Sequence, residues 1–168
     1  MAEPVLLYLD QNYLSGIVKG KPAFRELEPV LRAAIAAEAV AVPMAEAHRL
    51  ESAARPDLPI LPLLEELSCG VVLPESERRS REHALERRLA ALLERRFPER
   101  RQRASDRVDL AALALALPRC RFVTCDAFMA DVVRRAGYHT LYGCELFTGR
   151  RTDVRRLRER LEELLGRA

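Results

Sequence analysis

The sequence predicts an α/β protein with an open, parallel β-sheet of about five strands and helices on both faces, a three-layer sandwich. Short apolar runs, typical of strands buried on both faces, alternate with helical stretches along the whole chain. The first of these runs ends abruptly at an acid, Asp10. With 168 residues the chain has the length of one domain with a full core, so we expect residues 1–168 to form a single domain.

The N-terminal half begins with a continuous apolar run, Pro4–Leu9, which predicts the first strand. A helical stretch follows Gly20 and Pro22 and reaches about Ala39. We expect a break or kink near Pro29, because proline lacks the amide hydrogen that a helix interior needs. The remaining predicted elements are a small strand at Ala39–Val42, a helix at Met44–Ala54, a short helix at Leu63–Leu67 and a third strand at Cys69–Leu73.

The C-terminal half begins with a strongly helical stretch at 75–96, in which leucines form an apolar stripe among arginines. The next helix is nearly all alanine and leucine, so it must be buried. The predicted elements after 96 are that helix from a Ser105 cap to Leu117, a strand at Arg121–Thr124, a helix at Asp126–Ala136 stopped by Gly137, a fifth strand at Tyr138–Tyr142, and an amphipathic helix at Thr152–Gly166.

The composition excludes several classes of protein. Hydrophobic residues make up 49% and charged residues 32%, which excludes a disordered polar chain. No apolar run approaches the ~20 residues that cross a bilayer, and the N-terminus lacks the pattern of an export signal. We therefore expect a cytoplasmic protein that does not contact a membrane. The four cysteines lack a paired spacing, which predicts reduced, mostly buried thiols rather than a zinc or disulfide framework.

Positive charge is concentrated in two arginine-rich parts, a helical segment at about 75–103 and the C-terminal helix at about 152–166. Residues 75–107 carry a net charge of +4 and residues 150–168 carry +3, which leaves −4 for the rest of the chain. An acidic body with basic helices suits an enzyme whose carboxylates meet a polyanion. Solvated amphipathic helices rich in arginine are the alternative interpretation, and they could equally form a dimer interface.

Three aspartates lie at positions that suggest a function. Two follow predicted strands, and the third lies in a helix that is expected to be buried. Asp10 and Asp126 follow strands, so both project toward the same edge of the predicted sheet, although either alone could be a helix N-cap. Asp109 lies in the first turns of the buried Ala/Leu-rich helix. A lone buried carboxylate is costly unless it is paired or binds a cation, so a metal would account for Asp109.

A fourth acid is expected from the segment after the second strand, where Glu46 and Glu51 compete. They are five residues apart, about 140° around a helix, so they cannot serve one site equally. Glu51 shares a helix face with His48, and we prefer it, with Glu46 on the surface at the helix start. We expect His48 to be a hydrogen-bonding residue rather than a metal ligand.

Four segments together resemble a PIN domain, a metal-dependent ribonuclease fold of bacterial toxins and RNA-processing enzymes. They are Leu-Tyr-Leu-Asp10-Gln-Asn12, Val42-Pro-Met-Ala-Glu-Ala-His48-Arg-Leu-Glu51, Asp109-Leu-Ala-Ala-Leu-Ala, and Phe-Val-Thr124-Cys-Asp126. The first is a variant of the more usual Asp-Thr-Ser or Asp-Thr-Asn opening. The family often has another Asp two residues after the last acid, where this chain has Phe128. Asp131 is the nearest later acid, and we expect it on the surface, paired with Arg135.

The resemblance implies that Asp10, Glu51, Asp109 and Asp126 are both the metal ligands and the catalytic acids. Oxygen ligands without a Cys or His set favour Mg²⁺ or Mn²⁺. Asn12, Thr124 and His48 would support them, and Asp106, which shares a helix face with Asp109, could be a supplementary carboxylate.

The function that this resemblance implies is a metal-dependent endoribonuclease that acts on RNA, with the arginine helices guiding the substrate. It could be a toxin whose protein antitoxin or inhibitor lies outside this chain. The alternative is a catalytically inactive PIN-like protein that binds RNA or acts as a scaffold. A phosphatase-like enzyme with Asp10 as nucleophile is a third hypothesis, but Asn12 replaces the second acid of its expected Asp-x-Asp.

Overall fold

The fold is described by a computed structural model over residues 3–53, 55–73, 80–100 and 103–167. In these residues four strands form one parallel sheet in the order β2-β1-β3-β4. The strands are β1 (Val5–Tyr8), β2 (Val40–Ala41), β3 (Phe122–Thr124) and β4 (Glu145–Phe147). The predicted α/β class and parallel sheet are therefore confirmed, but the described sheet has four strands and not five.

Helices connect and cover the strands. They are α1 (Gln11–Val18), α2 (Pro22–Ala36), α3 (Glu46–Ala53), α4 (Ile60–Ser68), α5 (Ser80–Arg96), α6 (Ala104–Ala116), α7 (Ala127–Arg135), α8 (Tyr138–Tyr142) and α9 (Arg151–Leu165). Of the break or kink expected near Pro29, the break is wrong, because α2 continues through this proline. Its buried face, which includes Phe24, Leu27 and Leu31, packs on the sheet and beside α9. This packing outweighs the hydrogen bond that proline cannot donate.

Alternate residues of the strands serve two separate cores, one on each face of the sheet. Leu7, Phe122 and Phe147 belong to the core shared with α1, α2, α4 and α9. Tyr8, Val123 and Leu146 point the other way, into the core shared with α3, α5, α6 and α7. Helices therefore cover both faces, as the alternating sequence pattern predicts.

Two predicted strands are wrong. Residues 138–142 form helix α8, which is bounded by Gly137 and Gly143, both in the left-handed conformation with φ of 71° and 64°. Between Cys69 and Leu73 there is only an isolated parallel bridge, from Val72 to Met44. Left-handed backbone at Cys69 (φ 48°) and Gly70 (φ 84°) ends the preceding helix and leaves too short an extended run for a strand.

Some predicted boundaries also shift. Helix α6 begins one residue before Ser105, so Ser105 is not its cap, and the N-cap position belongs to Arg103. The predicted helical start at 75–79, and residues 101–102 of the arginine-rich segment, lie outside the described residues. None of the helices within the described ranges is long and apolar enough to cross a membrane. All four cysteines carry free thiols, of which only Cys69 is exposed.

Candidate active site

A cleft of about 560 Å³ opens at the carboxyl ends of β1 and β3. Four acids line it together: Asp10, Glu51, Asp109 and Asp126. They come from the end of β1, from α3, from α6 and from the turn between β3 and α7. The structure thus brings into one pocket side chains that are up to 116 residues apart in sequence. This is the edge at which α/β sheets with parallel strands place their functional groups.

Asp10 is held in place by a network of hydrogen bonds. The Thr124 hydroxyl donates to Asp10 Oδ1 (2.9 Å) and accepts from the Asp10 backbone N–H (2.7 Å). The Tyr13 backbone N–H donates to Oδ1, and Asn12 Nδ2 donates to Oδ2, each at 3.2 Å. Burial raises the pKa of Asp10 above its usual value, and these hydrogen bonds oppose that rise. Asp10 is therefore the N-cap of α1 and also lines the cleft, where these hydrogen bonds fix the position of its side chain.

Asp126 has the same double role. Its Oδ1 accepts from the Met129 backbone N–H at 2.7 Å, which caps the start of α7. The side chain is half-buried and also lines the cleft. Asp126, like Asp10, therefore caps a helix and also lines the cleft.

Glu51 and Asp109 form a hydrogen-bonded pair of acids between α3 and α6. Burial, followed by the charges of Asp109 and Asp10, raises the pKa of Glu51 to about 8. Burial and the charge of Asp126 raise the pKa of Asp109 to about 6, while a hydrogen bond from Glu51 lowers it. Glu51 Oε2 is buried without a hydrogen-bond partner. The pair is therefore costly to ionise fully unless a positive charge joins it.

His48 is fully buried and does not line the cleft. Its Nδ1 accepts from the Ala45 backbone N–H (2.9 Å), so its Nε2 carries the proton that is donated to the Leu9 carbonyl (2.6 Å). The ring also stacks on Tyr8, with 5.0 Å between the ring centroids. Burial lowers the pKa of His48, so the imidazole is neutral and ties α3 to the end of β1 just before Asp10.

Two alternative acids lie outside the cleft. Glu46 is exposed in the first turn of α3 and is not among the lining residues. Asp106 is buried, but its two oxygens accept from Arg100 at 2.9 and 3.0 Å, and Oδ2 also accepts from the Arg103 backbone N–H. Asp106 therefore caps α6 and neutralises Arg100, and the structure gives it no place beside Asp109 in the cleft. The predicted surface pair of Asp131 with Arg135 is confirmed, at 2.7 Å.

Sequence reasoning missed several residues that line the cleft. Gln11 follows Asp10 directly, and its Oε1 is buried without a hydrogen-bond partner. Arg55 is exposed at the rim, four residues after Glu51, and its Nε lies 3.5 Å from Asp57 Oδ1. Leu50 and Val108 each precede one of the lining acids and supply apolar surface. Position next to a proposed ligand is the signal in the sequence that could have identified Gln11, Leu50 and Val108.

The donor set suits a hard divalent cation. All four acids offer oxygen, and Glu51 Oε2 is a buried acceptor that no donor satisfies. Over the described residues, however, no group of three or more His, Cys, Asp or Glu side chains is close enough to hold a metal ion. The acids share one cleft without forming a finished coordination sphere, so side-chain rotation would have to complete it.

Much of the positive charge on the C-terminal helix is neutralised within the fold. Arg158 pairs with Glu26 at 2.7 Å, and Arg160 pairs with Glu145 at 2.6 Å. Arg155 and, at the helix start, Arg151 are exposed. Some arginines of α9 thus form ion pairs with other elements of the fold, whereas a smaller set faces solvent.

Comparisons of the chain with models of protein families, with curated proteins and with solved structures give no match. The resemblance to a PIN domain therefore stays a prediction from the four sequence segments. The arrangement of side chains in the cleft is the independent observation from which a function can be argued.

Proposed function

We propose that this protein is a metal-dependent endoribonuclease that hydrolyses phosphodiester bonds of RNA with Mg²⁺ or Mn²⁺. The observation that supports the proposal is the convergence of Asp10, Glu51, Asp109 and Asp126 in one cleft at the carboxyl edge of the sheet. The order of these acids along the chain is also that of the PIN-like pattern in the sequence.

The electrostatics of the cleft favour a cation there. The charges of Asp109 and Asp10 raise the pKa of Glu51, and the charge of Asp126 raises the pKa of both Asp109 and Asp10, which means that negative charges in the cleft disfavour one another. The four acids would hold the cation through their oxygens. When bound, a divalent ion supplies charge neutralisation for the phosphate and lowers the pKa of the attacking water.

The side chains of the cleft have distinct tasks in this proposal. Asp10 is fixed by Thr124 and by the backbone of α1, so it would orient the ion with little loss of side-chain entropy. Glu51 Oε2 has no partner and would accept a hydrogen bond from the attacking water. Arg55 at the rim would contact a phosphate next to the one that is cleaved.

RNA is the proposed substrate because the acidic cleft lies in a chain with a net charge of +3 and exposed arginines. Phosphate contacts of this kind give affinity that falls with salt and depends little on sequence. A role as a toxin, restrained by a protein antitoxin or inhibitor, belongs to the same proposal.

The test is cleavage of single-stranded RNA in Mn²⁺, with and without chelator, by wild type, Asp10→Asn and Glu51→Gln. Glu46→Gln is the matched control, because Glu46 lies on the same helix as Glu51 but outside the cleft. We expect cleavage that requires the ion, a loss of at least about 100-fold in both cleft variants, and an unchanged rate in the control.

If wild type binds RNA but does not cut it, and calorimetry detects no cation binding, the nuclease proposal is wrong. The inactive RNA-binding or scaffold protein then accounts for the cleft.

A further inference from the structure

The cleft has an apolar wall beside its acids. Each of two neighbouring helices supplies to the cleft an acid and the apolar residue directly before that acid. These pairs are Leu50 with Glu51 on α3, and Val108 with Asp109 on α6. Leu50 is 56% exposed, so its apolar surface is open to a ligand in the cleft.

A polar group without a partner lies at the same place. Gln11, the first residue of α1, lines the cleft, and its Oε1 is buried with no hydrogen-bond partner. Buried carboxamides nearly always have partners, so this one is available to a ligand. A carboxamide offers both a donor and an acceptor, which is the pairing that the edge of a nucleobase requires.

From this juxtaposition we propose that Leu50, Val108 and Gln11 form a nucleobase subsite, which takes one unpaired base of a single-stranded RNA beside the scissile phosphate. The inference rests on the proposed nuclease function and specifies its substrate. The base would lie flat on Leu50 and Val108, with its polar edge toward Gln11.

The size and charge of the cleft are consistent with this occupant. Its volume of about 560 Å³ is within the range of small-ligand sites, which is roughly 300–1,000 Å³. Arg55 at the rim would contact the sugar–phosphate backbone. A base inside a duplex cannot reach such a wall without leaving its stack, so the subsite predicts a preference for single strands.

Binding tests the subsite without cleavage. The affinity of a short, labelled single-stranded RNA is measured by fluorescence anisotropy in chelator, together with a set of oligonucleotides in which each position in turn is abasic. We expect wild type to lose about 5–10-fold in affinity when one particular position is abasic, and little at the others. Duplex RNA of the same sequence is expected to bind more weakly than the single strand.

Leu50→Ser and Gln11→Ala are expected to bind the intact RNA about 5–10-fold more weakly and to lose the dependence on the abasic position. Leu141→Ser is the matched control, because Leu141 is 69% exposed on α8 and does not line the cleft. Thermal unfolding of each variant verifies that it is folded. Equal affinity of wild type for the intact RNA and every abasic RNA overturns the inference.

Two further outcomes separate the inference from the proposed function. Cleavage in Mn²⁺ without any base dependence refutes the subsite and leaves the nuclease proposal intact, whereas base-dependent binding without cleavage supports the subsite and refutes the nuclease proposal.

A second copy of the chain is another possible occupant of the apolar wall, and sedimentation tests for it. If wild type is a dimer and Leu50→Ser is a monomer, the apolar wall belongs to the dimer interface and the inference is overturned.

Discussion

Replacing Glu51 with Gln is expected to stabilise the metal-free protein at pH 8, although it removes a proposed catalytic side chain. The pKa of Glu51 is raised from 4.5 to about 8, so the folded state binds this proton much more tightly than the unfolded state does. The protonated Glu51 carboxyl makes its full contribution to the free energy of unfolding below about pH 4.5. This contribution is lost as the pH rises toward 8. Glutamine keeps the shape of the acid without the charge.

The size of the effect follows from the pKa shift. One pKa unit corresponds to about 1.4 kcal/mol, so the whole shift sets an upper bound of about 5 kcal/mol. Glu51 is only half-buried and shares its shift with Asp109, and solvent screens part of the repulsion. We therefore expect Glu51→Gln to raise the free energy of unfolding by about 2–4 kcal/mol at pH 8, and by little at pH 5.

The assay is urea unfolding across this pH range in chelator, with wild type, Glu51→Gln and the exposed-acid control Glu46→Gln. The wild-type free energy of unfolding should fall as the pH rises, and the Glu51→Gln curve should be flatter. Mn²⁺ should stabilise wild type and reverse the order of the two proteins, because a ligand that binds only the folded state adds to its stability. Parallel curves for wild type and Glu51→Gln would contradict a raised pKa of Glu51 in the folded state.

Three other substitutions test the supports of the cleft and the core. His48→Ala removes a fully buried ring and its two backbone hydrogen bonds, so a loss of about 2–4 kcal/mol is expected in urea unfolding; an unchanged midpoint would contradict this. Thr124→Val keeps the shape but removes both hydrogen bonds to Asp10, so we expect a loss of about 1–3 kcal/mol and at least 10-fold slower RNA cleavage in Mn²⁺. Gly16→Ala places a Cβ 2.7 Å from the buried ring of Phe24, which should cost about 1–3 kcal/mol in thermal or urea unfolding, and a neutral result would mean that the ring moves freely.

Patterns that depend on local chemistry predict the fold best. The apolar run before Asp10 gave the correct strand because a parallel strand buried on both faces needs such a run. The segment Tyr-His-Thr-Leu-Tyr at 138–142 has the aromatic and β-branched content of a strand, but left-handed glycines at both ends close it into one helical turn. At Pro29 the sequence predicts an interruption of the helix, but packing against the sheet and α9 keeps α2 continuous.

The acids of the cleft could be predicted because burial makes a carboxylate conspicuous in an apolar stretch. Glu51 was separated from Glu46 by helical periodicity, and the structure places Glu51 alone of the two in the cleft. Gln11 and Leu50 could not be identified in this way, since a polar residue after a strand and a leucine in a helix are common. Their significance depends on which groups approach them in space.

The hydrogen bonds between Thr124 and Asp10 join residues 114 positions apart. Because β1 pairs with β3 across the intervening chain, Asp10 meets its support only when a long loop has closed. During synthesis, a ribosome-bound chain that stops before β3 has Asp10 without Thr124 or Asp126. The cleft is thus assembled only when β3 and the start of α7 have joined β1, and a chain that lacks them has no complete cleft.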